Sequence, residues 1–358
     1  MDKTKMLKLI GNENITVVEA MSKIDENAKG ILFIVNSENR LTGCVTDGDI
    51  RRWLLRAGEL NVPIVNAMKA SPKYVTRGEI ESAEQIMLEY DINALPVIDN
   101  DKTIIDIIFW NEKGKKEDNR CDNSLKKIPV IIMAGGKGTR LYPYTKILPK
   151  PLIPIGETPI VERILNEYYK YGIDEFYMTV NYKKGMIRSY FTDLSPEYNI
   201  RYIEENKPLG TGGSIKLIKE KFSDPVFVTN CDALIRADYE DIYEYHKTSG
   251  NVVTVIAALK NVTIPYGVLH SGKNGELVSM EEKPTQSYFI NTGMYIINPE
   301  TIELIPDDEM FHMTQLVEKV MQQGGRVGTY PISEDSFLDM GEFSEMKRME
   351  EKLHIVSN

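Results

Sequence analysis

Met133-Ala134-Gly135-Gly136-Lys137-Gly138-Thr139-Arg140-Leu141 crowds glycines and cations into one short stretch. Residues without a Cβ let main-chain N–H groups converge on an anion. Lys137 and Arg140 add charge, and a guanidinium can grip phosphate oxygens in pairs. The chemistry this points to is phosphate binding. Spacing excludes two familiar loops. A Walker A loop needs Lys and then Ser or Thr after its last glycine, whereas Gly138 is followed by Thr139-Arg140. A dinucleotide fingerprint counted from Gly136 needs a glycine at 141, where Leu141 stands. Further on, Pro149 and Pro151 flank Lys150 and fix its local backbone, so its ammonium can be presented to phosphate with little ordering.

These groups need a scaffold. Val130-Ile131-Ile132-Met133-Ala134 reads as a strand buried on both faces, directly ahead of the glycine loop. Thr158-Pro159 reads as an N-cap and first residue of a helix with Ile160, Ile164, Leu165 and Tyr168 on one face, stopping at Gly172. Further strands are expected at 176–180, 226–229 and 252–257, with helices near 215–221 and 239–247. That alternation predicts an α/β fold, a Rossmann-like and mostly parallel sheet covered by helices. Ligands then bind beyond the carboxyl ends of its strands.

The first part of the chain reads differently. Ile31–Val35 and Leu41–Thr46 flank a polar turn, and Ala94–Ile98 and 103–108 repeat the arrangement. Helical patterns at 18–24 and 82–90 precede the two copies, which predicts a supersecondary unit packed on its own copy. Residues 111–127 have almost no apolar content and read as a solvated linker. The expected organisation is a repeat module over 1–120 (copies about 8–60 and 65–118) and a second domain over 128–358.

At 358 residues, two domains are expected. Charged residues at 27% and hydrophobic ones at 42% are ordinary for a globular protein. A net charge of −10 without a long basic run argues against nucleic acid as a partner. Cys44, Cys121 and Cys231 lie at no metal-ligand spacing and read as reduced structural thiols. His246, His270, His312 and His354 are scattered without partners at ligand spacing. Neither a signal peptide nor a membrane span is supported, so a cytoplasmic location is expected.

The glycine loop followed by Pro149-Lys150-Pro151 resembles the sugar-phosphate nucleotidyltransferase family, whose signature is Gly-Gly-x-Gly-Thr-Arg-Leu and then Pro-Lys-Pro. The resemblance covers 128 to about 350. It implies a glycosyltransferase-A-like fold and a nucleotide site at Ala134, Gly135, Gly136, Gly138 and Thr139. Glu204 to Gly213 looks like the family's base-recognition segment, which implies further nucleotide contacts from Glu204, Pro208, Gly210, Thr211 and Gly212. Asn230-Cys231-Asp232 matches a metal position at which Cys231 replaces the usual glycine. Leu338-Asp339-Met340-Gly341 resembles the segment carrying the second metal aspartate. Tyr266, Gly267, Glu282, Lys283, Asn291 and Thr292 correspond to sugar and sugar-phosphate contacts.

What the resemblance implies is Mg²⁺ held by Asp232 and Asp339, with Arg140, Lys150 and Asp232 as the catalytic groups. The substrates are a nucleoside triphosphate and a sugar 1-phosphate, and Lys283 anchors the latter. A phosphate monoester has a second pKa of about 6, so the nucleophile is already largely ionised and needs no general base. The repeat module resembles a tandem pair of CBS domains, carried by Gly43 to Arg52. That implies an adenine-nucleotide site at Thr46, Asp49 and Arg51, at the start of a helix, and self-association into a homo-oligomer. In the second copy 107–110 lack the Thr and Asp. A CBS pair fused to this transferase is similar to bacterial guanylyltransferases of glucosamine 1-phosphate that serve legionaminic acid synthesis, which implies GTP as donor. Thymidylyl- or uridylyltransfer to glucose 1-phosphate, guanylyltransfer to mannose 1-phosphate or a heptose phosphate, and an inactive nucleotide sensor stand as alternatives.

Overall fold

The computed structural model describes residues 3–353 apart from 28, 58, 91 and 111–122. Most of the expected linker 111–127, with Cys121 and His354, lies outside the described residues. Contacts group the chain into two compact units. One comprises Met1–Asp118, Leu259–Phe289 and Ser333–Asp335; the other comprises Asn119–Ala258, Ile290–Ile332 and Ser336–Asn358.

The first unit holds two similar halves. Helix Val17–Asn27 precedes the hairpin Ile31–Val35 and Leu41–Thr46; the turn Arg77–Ser82 and helix Ala83–Glu89 precede the hairpin Ala94–Ile98 and Ile104–Phe109. The likeness extends to detail. Register slips between Ile34 and Val35 in one hairpin and between Val97 and Ile98 in the other. Asn36 Oδ1 accepts the N–H groups of Glu38 and Arg40, and Asp99 Oδ1 accepts those of Asp101 and Thr103. Asn39 and Lys102 then take positive φ in the two turns. Each half opens on a reciprocal cap, Thr16 with Glu19 and Thr76 with Glu79. Phe33, Val35 and Leu41 share a core with Ala94, Ile98, Ile104 and Ile107, so each half buries the other's apolar face.

The second unit is built on a seven-stranded sheet. Asn199–Glu204, Glu175–Val180, Val130–Ala134 and Val226–Asn230 run parallel in that order. Residues 294–297 of the strand Thr285–Ile297 follow antiparallel, then 253–258 of Val253–Thr263, which pair parallel with Val327–Ile332. Val130 to Ala134 are all buried because the sheet is covered on both faces. Val130, Ile132 and Ala134 join one core with Phe176, Met178 and Phe227; Ile131 and Met133 join the other with Tyr177, Val228 and Tyr295. Helix Ile160–Tyr169 covers the first face and helix Met313–Gln322 the second. This is the mostly parallel α/β sheet expected of the chain.

Two expected elements differ. Thr158 is not a helix cap: Thr158–Pro159 pairs with Pro154–Ile155, and the helix begins at Ile160 after an extended Pro159 (ψ 145°). The helix expected near 215–221 is a single 3₁₀ turn, Ser214–Leu217, followed by an extended Ile218. Ile215 and Ile218 are three residues apart, so one tight turn already buries both. Among the described residues no helix is long and apolar enough to cross a membrane.

Candidate active site

The glycine loop leaves the carboxyl end of Val130–Ala134, between the parallel strands Glu175–Val180 and Val226–Asn230. Gly135 stands against Glu205, whose carboxylate a Cβ there would strike. Gly138 has φ 63°, and its Cβ would lie 2.9 Å from Lys150 Cβ and 3.0 Å from Thr145 Cγ2. Conformation and space both demand glycine there. The buried Thr145 donates from Oγ1 to the Gly138 carbonyl at 2.9 Å. Arg140 follows in the turn Thr139–Leu141, pinned by the buried Leu141.

Lys150 opens the turn Lys150–Leu152 behind an extended Pro149 (ψ 146°). Its ammonium pairs with the Asp232 carboxylate, and both side chains are largely buried. Ala233–Ile235 pairs antiparallel with Phe337–Asp339, placing Ala233 opposite Asp339, and the Met340 N–H donates to the Asp232 carbonyl at 2.8 Å. A short ribbon thereby brings together two carboxylates far apart in the chain. Burial pushes the Asp339 carboxyl above its ordinary value and the Asp232 charge adds to this, while Lys150 and Arg140 pull it down. Two hard oxygen donors in a part-buried spot fit a divalent cation such as Mg²⁺. Among the described residues no cluster of three or more His, Cys, Asp or Glu could hold a metal alone. Cys231 turns its side chain into the core, where burial pushes the thiol up to about 12, so the departure from glycine leaves Asp232 presented.

Two cavities meet at these residues. A cleft of about 380 Å³ is lined by Gly135, Gly136, Gly138, Thr139, Arg140, Lys150, Glu205, Pro208, Gly210, Thr211 and Asp232. A neighbour of about 230 Å³ is lined by Asn291, Thr292, Gly293, Tyr295, Phe337 and Asp339. Arg140, Thr211, Asn230 and Asp232 belong to both walls. Gly293, at φ 81°, makes room for the Asn230 amide. Asn291 accepts the Gly293 N–H at 2.9 Å and donates to the Tyr295 hydroxyl at 2.6 Å, and the buried Thr292 donates to the Ile256 carbonyl at 2.7 Å.

Some expected residues lie elsewhere. Glu204 points outward, paired with Lys184 and Arg188, which hold its carboxyl below the ordinary value. Its neighbour Glu205 enters the cleft instead, because Glu204 ends the strand and consecutive side chains there point opposite ways. Burial pushes the Glu205 carboxyl up, against the pull of the Leu209 N–H that it accepts. Ala134 is buried in its strand, and the Gly212 N–H is spent on the Phe311 carbonyl, so neither lines the cleft. Lys137 is exposed and outside the lining. A histidine does reach a residue of the cleft wall, with His312 Nδ1 at 3.4 Å from both Thr211 N and Oγ1.

Tyr266, Gly267, Glu282 and Lys283 belong to the first unit, around the ribbon Val268–Ser271 and Leu277–Glu281. Within it Gly267 lies beside Glu282, and Lys283 takes φ 48°. In the same unit Thr46 and Asp49 form a reciprocal cap on helix Asp47–Ala57. The other Asp49 oxygen pairs with Arg52 at 2.6 Å and Lys69 at 3.3 Å. Arg51 acts on Asp47, pulling down a carboxyl that burial raises.

The nucleotidyl transferase family model matches residues 129–354, and the CBS domain model matches residues 12–56. The mannose-1-phosphate guanyltransferase of Debaryomyces hansenii is 35% identical over 184 residues, 49% of this chain and 51% of that protein. The UTP–glucose-1-phosphate uridylyltransferase of a Synechocystis species is 32% identical over 233 residues, 59% of this chain and 60% of that protein. The chain thus spans between about half and three fifths of the length of these relatives. A Bacillus anthracis structure assigned as a glucose-1-phosphate thymidylyltransferase, solved with sucrose, shares the fold at a TM-score of 0.51 and 21% identity, covering 64% of this chain and 97% of that one. The longer match takes in more than half of the chain and every residue lining the two cavities. The chain belongs to the nucleotidyl transferase family and carries a CBS domain in its N-terminal part.

Proposed function

We propose that this protein transfers a nucleoside monophosphate from a nucleoside triphosphate to a sugar 1-phosphate and releases pyrophosphate. The observation that carries the reading is the shared wall: two adjoining cavities of unequal size meet at Arg140 and Asp232. The larger takes the triphosphate under the glycine loop and the smaller takes the acceptor, against Asn291 and Thr292. An acceptor phosphate oxygen attacks the α-phosphorus, and the bond from that phosphorus to the departing pyrophosphate oxygen breaks. The attacking dianion needs no proton removed, and neither wall contains a histidine. What the site must overcome is repulsion between polyanions, so catalysis is positioning and charge neutralisation. Lys150 and Arg140 supply fixed positive charge. Asp232 and Asp339 would hold Mg²⁺, which would supply neutralising charge at the reacting phosphates.

GTP is the proposed donor, and Glu205 supports it. An ionised carboxylate only accepts hydrogen bonds. Guanine offers it N1–H and a 2-amino group side by side, whereas uracil and thymine offer one N–H flanked by two carbonyl oxygens. Glucosamine 1-phosphate is the proposed acceptor, on the likeness of the fused arrangement to the guanylyltransferases of legionaminic acid synthesis. The test is a matrix of GTP, UTP, dTTP and ATP against glucosamine, mannose and glucose 1-phosphates, read by pyrophosphate release. Turnover confined to UTP or dTTP overturns the donor assignment, and turnover with mannose but not glucosamine overturns the acceptor.

An adenine nucleotide at Thr46, Asp49 and Arg51, and a homo-oligomer formed through the CBS module, complete the proposal. Both Asp49 oxygens already have partners, so such a ligand must compete for them. Titration with AMP and ATP, read by calorimetry and by light scattering of the whole protein, tests both parts.

A further inference from the structure

Three consecutive residues that line neither cavity hold three walls of the larger one. Val180 lies opposite Ala134 in the parallel sheet, so the chain after Val180 emerges beside the glycine loop. Asn181 Nδ2 donates to the Glu205 carbonyl at 3.2 Å. The Tyr182 hydroxyl donates to the Thr145 carbonyl at 3.1 Å, and Thr145 in turn holds the Gly138 carbonyl. Lys183 Nζ donates to the carbonyls of both Lys146 and Ile147 at 2.6 Å. Those two carbonyls end the turn Tyr144–Ile147, from which the chain runs into Pro149 and Lys150.

Lys183 occupies φ 52°, a left-handed conformation that non-glycine residues adopt rarely. A side chain kept there while its ammonium bridges two carbonyls belongs to a local constraint on shape. Proline rigidity alone orients Lys150 relative to its own neighbours; it does not fix the segment to the sheet. The Lys183 bridge does, because Lys183 lies three residues beyond Val180, the end of the strand that pairs with Val130–Ala134.

We propose that Asn181-Tyr182-Lys183 is a positioning hub for the transfer reaction, with Lys183 aiming Lys150, Tyr182 steadying the glycine loop and Asn181 steadying the Glu205 wall. The assignment of a reaction to the hub rests on the function proposed above. Its geometry is testable without substrate.

The decisive variants are Lys183→Met, which keeps the stem and loses the donors, and Lys183→Arg, which keeps a cation. In Lys183→Met, amide hydrogen exchange across 144–150 should quicken about tenfold while the Val130–Ala134 amides and the melting temperature stay as in the wild type. kcat should fall about tenfold with the triphosphate KM changed less than threefold, and Lys183→Arg should recover most of the loss. Unchanged exchange across 144–150 overturns the hub. So does quickened exchange with full kcat, and so does a general rise in exchange with a lowered melting temperature, which marks a merely structural role. A wild-type protein that makes no nucleotide-sugar overturns the proposed function instead and leaves the exchange measurement to judge the tether.

Discussion

Alanine at Gly138 would carry two separate burdens. At φ 63° an L-residue sits in the left-handed region, at a cost of about 1–2 kcal/mol. The new methyl would also lie 2.9 Å from Lys150 Cβ and 3.0 Å from Thr145 Cγ2, closer than carbon atoms approach without something moving. Neither neighbour can swing aside at its tip, because the contacted atoms lie at the root of one side chain and on a fully buried other. The loop and the Lys150 segment must separate by several tenths of an ångström. At about 2–4 °C per kcal/mol for a unit of this size, strain alone predicts a melting temperature lowered by roughly 2–8 °C. Displacement of Lys150 from its place should lower kcat by roughly tenfold to a hundredfold. Gly136→Ala is the matched control, since nothing lies within 4 Å of its Cβ. It should leave melting unchanged and, because Gly136 lines the cleft, raise the triphosphate KM. Differential scanning calorimetry and pyrophosphate-release kinetics on both variants decide the matter. Equal melting temperatures and equal kcat for the two alanine variants would show that the loop has slack here, and the packing argument would fail.

Asp232→Asn and Asp339→Asn should each lower kcat by a factor on the order of a hundred or more; near-wild-type turnover in either removes that residue from the cation site. Glu205→Gln should raise the GTP KM and narrow the preference over UTP, and an unaltered preference would remove Glu205 from base selection. Because burial raises the Glu205 pKa, the ionised acceptor is lost as pH falls through that raised value, so the wild-type GTP KM should climb there while the variant's stays flat. Stability runs the other way: the fold favours protonated Glu205, so its ionisation destabilises as pH rises from the unfolded carboxylate value through the folded one. Glu205→Gln should therefore raise the melting temperature at about pH 8 and not at about pH 4. His246 is buried, bonded to Thr254 at 2.8 Å and Asn298 at 3.0 Å, and burial lowers its pKa from 6.5. The fold resists protonating it and the unfolded chain takes the proton more readily, so the melting temperature should decline as pH drops below 6.5, and His246→Gln should blunt that decline. Asp49→Ala removes a reciprocal cap and two cation contacts, and a loss of about 1–2 kcal/mol from the first unit is expected; chemical denaturation measures it.

How far the sequence could be read depended on whether a signal was local. Strands such as Ile31–Val35 and Val130–Ala134 were legible to the residue, because an apolar run buried on both faces carries its own boundaries. The helix start at Thr158 misled because Thr-Pro fits an extended pair as well as a cap; only the partner strand Pro154–Ile155 decides. The two aspartates were nameable by family likeness, yet nothing near either predicts that three-residue strands will pair across the intervening chain. Alternation says that Glu204 and Glu205 face opposite ways but not which faces the cleft. That choice was encoded in Gly135, whose missing side chain leaves the space that the Glu205 carboxylate fills. Read together, a glycine at the mouth of the loop and a carboxylate in the base-recognition segment form one signal, half of it an absence. The Asn181–Lys183 turn is illegible in the sequence for the converse reason: its side chains do their work on main-chain carbonyls, and a backbone partner leaves no trace in the identity of the residue that supplies it.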